Sequence, residues 1–331
     1  MPTNNLNSSE ASIDDFGIIS IMYHRFEENK YPSTNIKMND FLKHLEMIQE
    51  EKIEFVNPKS FLMDLRNKKK ARKLLLTIDD GYSSFYKNAW PILKQKKIPF
   101  ILFVSTREVG KFGYMSWEQI REVSDYDFVE IGNHSHSHEY LIDENIKDIK
   151  NDIELSMDIF KNNLNKKSIF FSYPFGEYSL EFKNLIKELN FKIAFGQHSG
   201  VIGNSDDLYE LPRFPINEKY GNLDRFSTLL KTIPFSYETI TPSEKYINKN
   251  TNPPNVTVKF SSNNKNLKSI TCFSNEEDKW RKSKINFINE NEIKIILDGK
   301  FTTERGRINC SLREKGGFFR WLGMQFVIAE K

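Results

Sequence analysis

Two runs in the first third of the chain, "LLLTI" (74–78) and "FILFV" (100–104), are apolar at almost every position. A strand with one face in water alternates apolar and polar residues. Near-continuous runs therefore imply strands buried on both faces, as in a parallel sheet covered by helices. Similar candidates are "GIISIMY" (17–23), "IEFVNP" (53–58), "FVEIGNH" (128–134), "SIFFSYP" (168–174), "FKIAFG" (191–196) and "YELPRF" (209–214). Helical patterns lie between them. Segment 39–51 places Phe41, Leu45 and Ile48 on one face, 84–97 should kink or restart at Pro91, and 116–123 opens on Ser116 with Glu118 early. Segments 143–164 and 180–190 are amphipathic. Strand and helix alternate about eight times before Pro215, so the expected fold is α/β, a β/α barrel or a close relative.

Barrels carry chemistry where strands end and the following loops begin. His24 follows the first strand candidate, Asp79 and Asp80 end the third, His134 ends the fifth, and Tyr173 to Gly176 end the sixth. The polar residues of interest thus fall at one end of the sheet.

The pattern changes after 222–232. Residues 236–255, rich in Pro, Asn and Thr, read as a linker between a barrel domain (17–235) and a smaller domain (256–331). The latter shows short turn-bounded alternating runs, and the expectation is an antiparallel β-sandwich. Residues 1–16 read as a flexible N-terminus.

A net charge of +3 on 331 residues gives no case for nucleic acid. The "NKKKARK" run (67–73) reads as a solvated helix end or loop. No apolar run reaches the roughly 18 residues of a membrane span. The polar, acidic N-terminus lacks the pattern of a secretory signal, so a cytoplasmic location is expected. Cys272 and Cys310 then read as reduced core thiols that would pair only in an exported protein. Oligomeric state is not legible.

"TIDDG" (77–81) ends a buried strand with two carboxylates. One Asp can cap the next helix with its neighbour idle, and "SIDDFG" (12–17) shows that the dipeptide alone is weak. "HSHSH" (134–138) gathers half of the chain's six histidines. Clustered histidines usually ligate a metal, and two imidazoles with one carboxylate leave a position open for water.

In order and spacing, "TIDDG", "HSHSH" and "SYPFG" (172–176) resemble the first three motifs of the polysaccharide deacetylases, the NodB-homology enzymes of carbohydrate esterase family 4. "MYHR" (22–25) resembles the branch containing the poly-N-acetylglucosamine deacetylases. The resemblance covers about residues 17–220 and leaves out the C-terminal region. It implies a distorted, NodB-type barrel and hydrolysis of an N-acetyl group on an amino sugar or glycan. Asp79 would be the catalytic base, and Asp80, His134 and His138 would hold a divalent metal. Zn²⁺ suits that set, with Co²⁺ or Ni²⁺ also compatible. His136 occupies a variable family position and is not expected to ligate. Phe175 stands where the family usually has Tyr, and its backbone N–H would serve as oxyanion donor.

Two family features are missing. No histidine follows His198, so the late "LxH" motif is absent, and Ser172 stands where motif three usually begins with Arg. His198 and His24 are the general-acid candidates. Arg213 in "LPRFP" is the candidate replacement for the missing Arg and is also counted among the substrate contacts with Tyr82, Trp117 and Tyr173. His44, in mid-helix, reads as solvated. Trp280, Phe319 and Trp321 read as core, with a glycan platform as the other possibility. Two other functions stay open: an amidase acting on a non-sugar C–N bond, and a non-catalytic glycan-binding protein on the same scaffold.

Overall fold

The computed structural model describes residues 17–66, 72–203, 206–261, 264 and 266–329. The N-terminal stretch 1–16 and residues 67–71 of the lysine run lie outside the described residues. Arg72 and Lys73, which end that run, already belong to a strand.

Six parallel strands form the centre of the first sheet: β1 (Gly17–Tyr23), β2 (Arg72–Ile78), β3 (Phe100–Val104), β4 (Val129–Asn133), β5 (Phe170–Ser172) and β6 (Ile193–Phe195). They pair in chain order, as expected of consecutive strand–helix units. On the free side of β1 lie β7 (Val201–Ile202), antiparallel to it, and β8 (Phe214–Pro215), parallel to it. Residues 208–216 link the two edges. The amides of Ala194 and Gly196 donate to the carbonyls of Leu208 and Leu211, and further along the segment Phe214 pairs with Ile21. The sheet thereby curls into a distorted barrel.

Side chains alternate across each strand, and the alternation divides the apolar residues into two cores. Ile19, Ile21, Leu74, Leu76, Leu102 and Val104 pack in the larger core, which also holds residues of the surrounding helices. Ile18, Leu75, Ile101, Phe103, Ile193 and Phe195 form the other, inside the curl of the sheet. Gly132 on β4 makes room for Phe103, since a Cβ there would lie 2.2 Å from the Phe103 ring. The period of two that sends Leu75 inward sends Thr77 and Asp79 inward after it.

The helices are α1 (Met38–Glu50), α2 (Phe61–Arg66), α3 (Trp90–Lys96), α4 (Trp117–Ser124), α5 (Ile146–Leu164), α6 (Leu180–Glu188) and α7 (Leu223–Leu230). Pro91 does restart its helix: a wide turn over Phe85–Ala89 gives way to α3, with the proline in the first turn, where its missing N–H is not needed. Ser116 caps α4, accepting from the Gln119 amide while the Gln119 side chain accepts from the Ser116 amide.

Two β-sheets follow, of six and four strands. Val256, Val258, Ile293 and Ile295 of one sheet share a core with Ile308, Leu312, Leu322, Met324 and Phe326 of the other. Segment 236–255 is not a free linker. Tyr237–Thr241 pairs with Val256–Phe260, and Tyr246–Ile247 lies along the end of Phe319–Ile328. Cys272 and Cys310 face each other on neighbouring antiparallel strands and form a disulfide, so the reduced-thiol expectation fails. Their sequence separation of 38 gave no hint of a register that sets them opposite.

His44 is also corrected. It lies on the buried face of α1 with Phe41, Leu45 and Ile48, stacks on Phe226 at 3.9 Å and is fully enclosed. Its Nε2 donates to the Gly221 carbonyl (2.7 Å), and Nδ1 lies 2.9 Å from the Tyr23 hydroxyl, which it can accept from only while the ring is neutral. Burial, partly opposed by the Gly221 bond and Asp40, lowers its pKa to about 4. The unfolded chain takes up this proton near its ordinary value of roughly 6.5, before the folded chain does. The contribution to stability is therefore complete above about pH 6.5 and is lost as the pH falls toward 4. Chemical denaturation of wild type and His44→Gln at pH 7 and pH 4 should show the wild type losing about 3 kcal/mol more than the variant over that interval.

Candidate metal centre

The loop after β2 turns sharply. Asp79 continues the inward-facing row of the strand, and its amide donates to the Tyr23 carbonyl (2.9 Å). Asp80 has φ +72° and Gly81 φ +71°, so the chain reverses at once and the two carboxylates enter different surroundings. Asp79 is fully enclosed, and Asp80 nearly so.

The Asp79 carboxylate is gripped by Arg213 at both oxygens, with Nη1 to Oδ1 at 2.7 Å and Nη2 to Oδ2 at 2.9 Å. Arg213 is itself completely buried, and every part of its guanidinium is engaged. Nε donates to the Gly196 carbonyl (3.0 Å), Nη1 also to Thr77 Oγ1 (3.2 Å), and Nη2 also to Ser172 Oγ (2.8 Å). Burial alone raises the Asp79 pKa. Arg213, followed by His134 and His24, lowers it by more, so the group stays below the ordinary carboxylate value and charged at neutral pH.

The "HSHSH" segment leaves β4 as a tight turn, with Ser135 at φ +66° and His138 at φ +55°. Asp152, from α5, secures it by accepting the amides of His136 (2.8 Å) and Ser137 (3.0 Å). Ser135 Oγ accepts the His138 amide (3.0 Å). His136 turns aside, its Nδ1 lying 2.8 Å from Thr106 Oγ1. His134 Nδ1 donates to the Ser172 carbonyl at 2.6 Å, which fixes the proton on that nitrogen and leaves the Nε2 lone pair free.

That free nitrogen lies 3.4 Å from Asp80 Oδ1, and His138 Nε2 lies 3.2 Å from the same oxygen. The three ligand atoms fall within 4.8 Å of one another. Asp80 Oδ1 and His134 Nε2 are buried with no hydrogen-bond partner, a costly state for polar atoms in a protein interior. A divalent cation would take up both unshared lone pairs, and the His₂Asp donor set fits one. Burial opposes charge on Asp80, but the neighbouring imidazoles, His138 first and then His134, keep its pKa well below the usual value. Burial also lowers the His138 pKa, and Asp80 raises it by more.

The other candidates divide sharply. His24 is half-buried at the end of β1 and feels both Asp80 and Asp79. Burial lowers its pKa, with the two carboxylates pulling against that effect. His198 does not join the site. It faces a cavity lined by Tyr178, Glu210, Lys245 and Trp321, where burial first, then Lys245 and Arg213, lower its pKa to about 3. Arg213 cannot touch substrate from its enclosed position, and its guanidinium instead clamps the Asp79 carboxylate. Tyr173 is equally enclosed, packed on Phe171 and Phe182 with its hydroxyl donating to the Tyr209 carbonyl (3.0 Å). Trp117 packs edge-on against Phe160 and does not line the cleft above Asp80. Of the C-terminal aromatics, Trp280 is half-exposed, whereas Trp321 packs on Phe214.

Tyr82 does line that cleft. Its volume is about 230 Å³, and Asp80, Ser105, Arg107, Glu108, Tyr114, Ser137 and His138 complete its walls. Arg25 lies 3.5 Å above the Tyr82 ring, and Tyr114 packs beside it. Phe175, at φ +57°, borders the metal trio: its ring meets the His138 ring edge-on at 4.9 Å and stacks on Tyr140 at 4.3 Å. Motif reading missed Asp152, Tyr140 and the Arg107–Tyr114 wall, because no local pattern marks residues that approach from other elements.

Comparison with known proteins agrees with this geometry. The polysaccharide deacetylase family model matches residues 66–194. The chain is 23% identical over 199 residues to a putative polysaccharide deacetylase of Bacillus subtilis, covering 60% of this chain and 70% of the relative. It is 25% identical over 212 residues to a poly-β-1,6-N-acetyl-D-glucosamine N-deacetylase of Staphylococcus aureus, covering 60% of this chain and 71% of the relative. Among solved structures, IcaB from Ammonifex degensii superposes with a TM-score of 0.59 at 23% identity, over 65% of this chain and 97% of that one. The match to the polysaccharide deacetylase family model thus falls on the domain that carries the paired aspartates and the histidine turn, and it is to deacetylases of this family that the domain is similar.

Proposed function

We propose that the protein is a metal-dependent hydrolase that removes N-acetyl groups from an amino sugar within a glycan or its precursor. The observation that carries this reading is the pair of buried, unpartnered atoms, Asp80 Oδ1 and His134 Nε2, converging beside a second carboxylate that Arg213 keeps charged. The deacetylase relatives support the substrate class.

Asp80, His134 and His138 would hold the cation, with Zn²⁺ the best match to the donors. When bound, such an ion acidifies water and polarises a carbonyl. Asp79 is the proposed base. Its Oδ2 lies 3.9 Å from His134 Nε2, and the Arg213 clamp allows little rotation, so it is aimed before substrate arrives. The Phe175 backbone N–H is the proposed oxyanion donor. With His198 facing another cavity, His24 is the imidazole proposed to deliver the proton to the departing amine. Tyr82 and Tyr114 line the cleft in which the sugar would lie. The Cys272–Cys310 disulfide favours an oxidising compartment over the cytoplasm.

With N-acetylglucosamine oligomers as substrate, the wild type should release acetate, and Asp79→Asn should lower kcat by roughly 10²- to 10⁴-fold while retaining metal. Metal binding without acetate release from any acetylated sugar would favour a binding module instead. Zinc titration of His136→Ala should match wild type, whereas loss of both His134 and His138 should abolish binding. Unchanged metal content in that double variant would refute the site. Alkylation of the protein in freshly lysed native cells, followed by mass spectrometry, should find Cys272 and Cys310 unmodified until reductant is added.

A further inference from the structure

The "SYPFG" loop is held from outside the barrel. Arg305, the first residue of strand Arg305–Arg313, places its guanidinium 5.3 Å from the centre of the Phe175 ring and pairs through Nε with Glu177 Oε1 at 2.6 Å. Glu177 is almost fully buried, so the pair is well shielded from water. Gln325, on the neighbouring strand Phe319–Ile328, is buried as well. Its amide donates to the carbonyls of Gly176 (3.3 Å) and Phe175 (3.5 Å), and its own oxygen accepts from Arg307 Nε (3.3 Å). A third contact reaches the loop after the histidine turn, where the Tyr246 hydroxyl donates to Asp143 at 2.7 Å. Tyr140, three residues before Asp143, is the ring stacked on Phe175.

These contacts converge on one point. Phe175 has a positive φ, which a side chain other than glycine adopts only when its surroundings enforce it. Its ring abuts His138, the most exposed of the three metal-ligand candidates and therefore the one with the least support from the barrel interior. We infer that the C-terminal β-region is part of the catalytic unit, with Arg305 and Gln325 as positioning residues that fix the Phe175 loop and, through it, the orientation of His138. The inference rests on the deacetylase reading for its kinetic consequence, but the effect on His138 does not depend on it.

The test uses the full chain with Arg305→Lys and Gln325→Leu. The lysine keeps a cation for Glu177 but loses the planar group over Phe175, and the leucine removes the two carbonyl contacts while preserving bulk. Each variant is loaded with Co²⁺, whose visible absorption reports ligand geometry, and is assayed for acetate release and thermal unfolding. The expected result is an altered Co²⁺ spectrum and a fall in kcat on the order of ten- to a hundredfold, with KM within about twofold. In Arg305→Lys the melting temperature should stay near wild type. Should the wild type itself release no acetate, the functional proposal fails while the Co²⁺ spectra still decide this one. Spectra and kcat equal to wild type in both variants would overturn it, whatever happens to the melting temperature. If either variant fails to fold, the other carries the test.

Discussion

The Arg213–Asp79 pair is the interaction around which the barrel end is organised. Both side chains are entirely removed from water. Burying two charges carries a large desolvation cost, which only a close, fully hydrogen-bonded arrangement offsets. Here the guanidinium meets the carboxylate at two points, and the Gly196 carbonyl, Thr77 and Ser172 take its remaining hydrogen bonds. A lysine could not serve, since a single ammonium cannot span those acceptors in one plane. Arg213 also lies in segment 208–216, which ties β6 to β1. The stitch that curls the sheet is therefore the element that arms the carboxylate.

Two consecutive aspartates acquire opposite characters from that frame. Asp79 has a fixed cationic partner and no freedom to move toward a ligand. Asp80, turned by a positive φ, has imidazoles for neighbours and an oxygen with no donor to satisfy it. Neighbouring environments that separate two similar groups are what assign different roles to them. Ser172 takes part on both sides: its hydroxyl contacts Arg213, and its carbonyl fixes the His134 tautomer. With serine at this position, the cation that holds Asp79 comes from the segment just before Phe214–Pro215.

What could be read from the chain follows from how local the information is. Spacing of four within the histidine turn and the inward parity of β2 are local, and Asp80, His134 and His138 do converge. Arg213 was expected to end the last barrel strand; it lies instead just before Phe214–Pro215, and its enclosure was not legible. His44 was misread despite a usable signal, since it lies three residues after Phe41 on the apolar face of α1. His198 was misread because strand-end position says nothing about which neighbour packs against that end, and here the C-terminal sheets cover it. Tyr173 and Trp117 suffered similarly, as aromatic rings serve core and cleft equally well. The cysteine pairing and the Arg305 contact depend on long-range register, which no short pattern encodes.

Asp80, Ser135, His138 and Phe175 all sit at φ values between +55° and +72°, and none of them is glycine. Any of the four could relax that backbone cost by mutating to glycine, and three of them would surrender a ligand or the ring beside one in doing so. Stability and chemistry therefore pull these positions in opposite directions. A lineage freed from the need to turn over substrate would be expected to erode here first, gaining robustness as it lost its site.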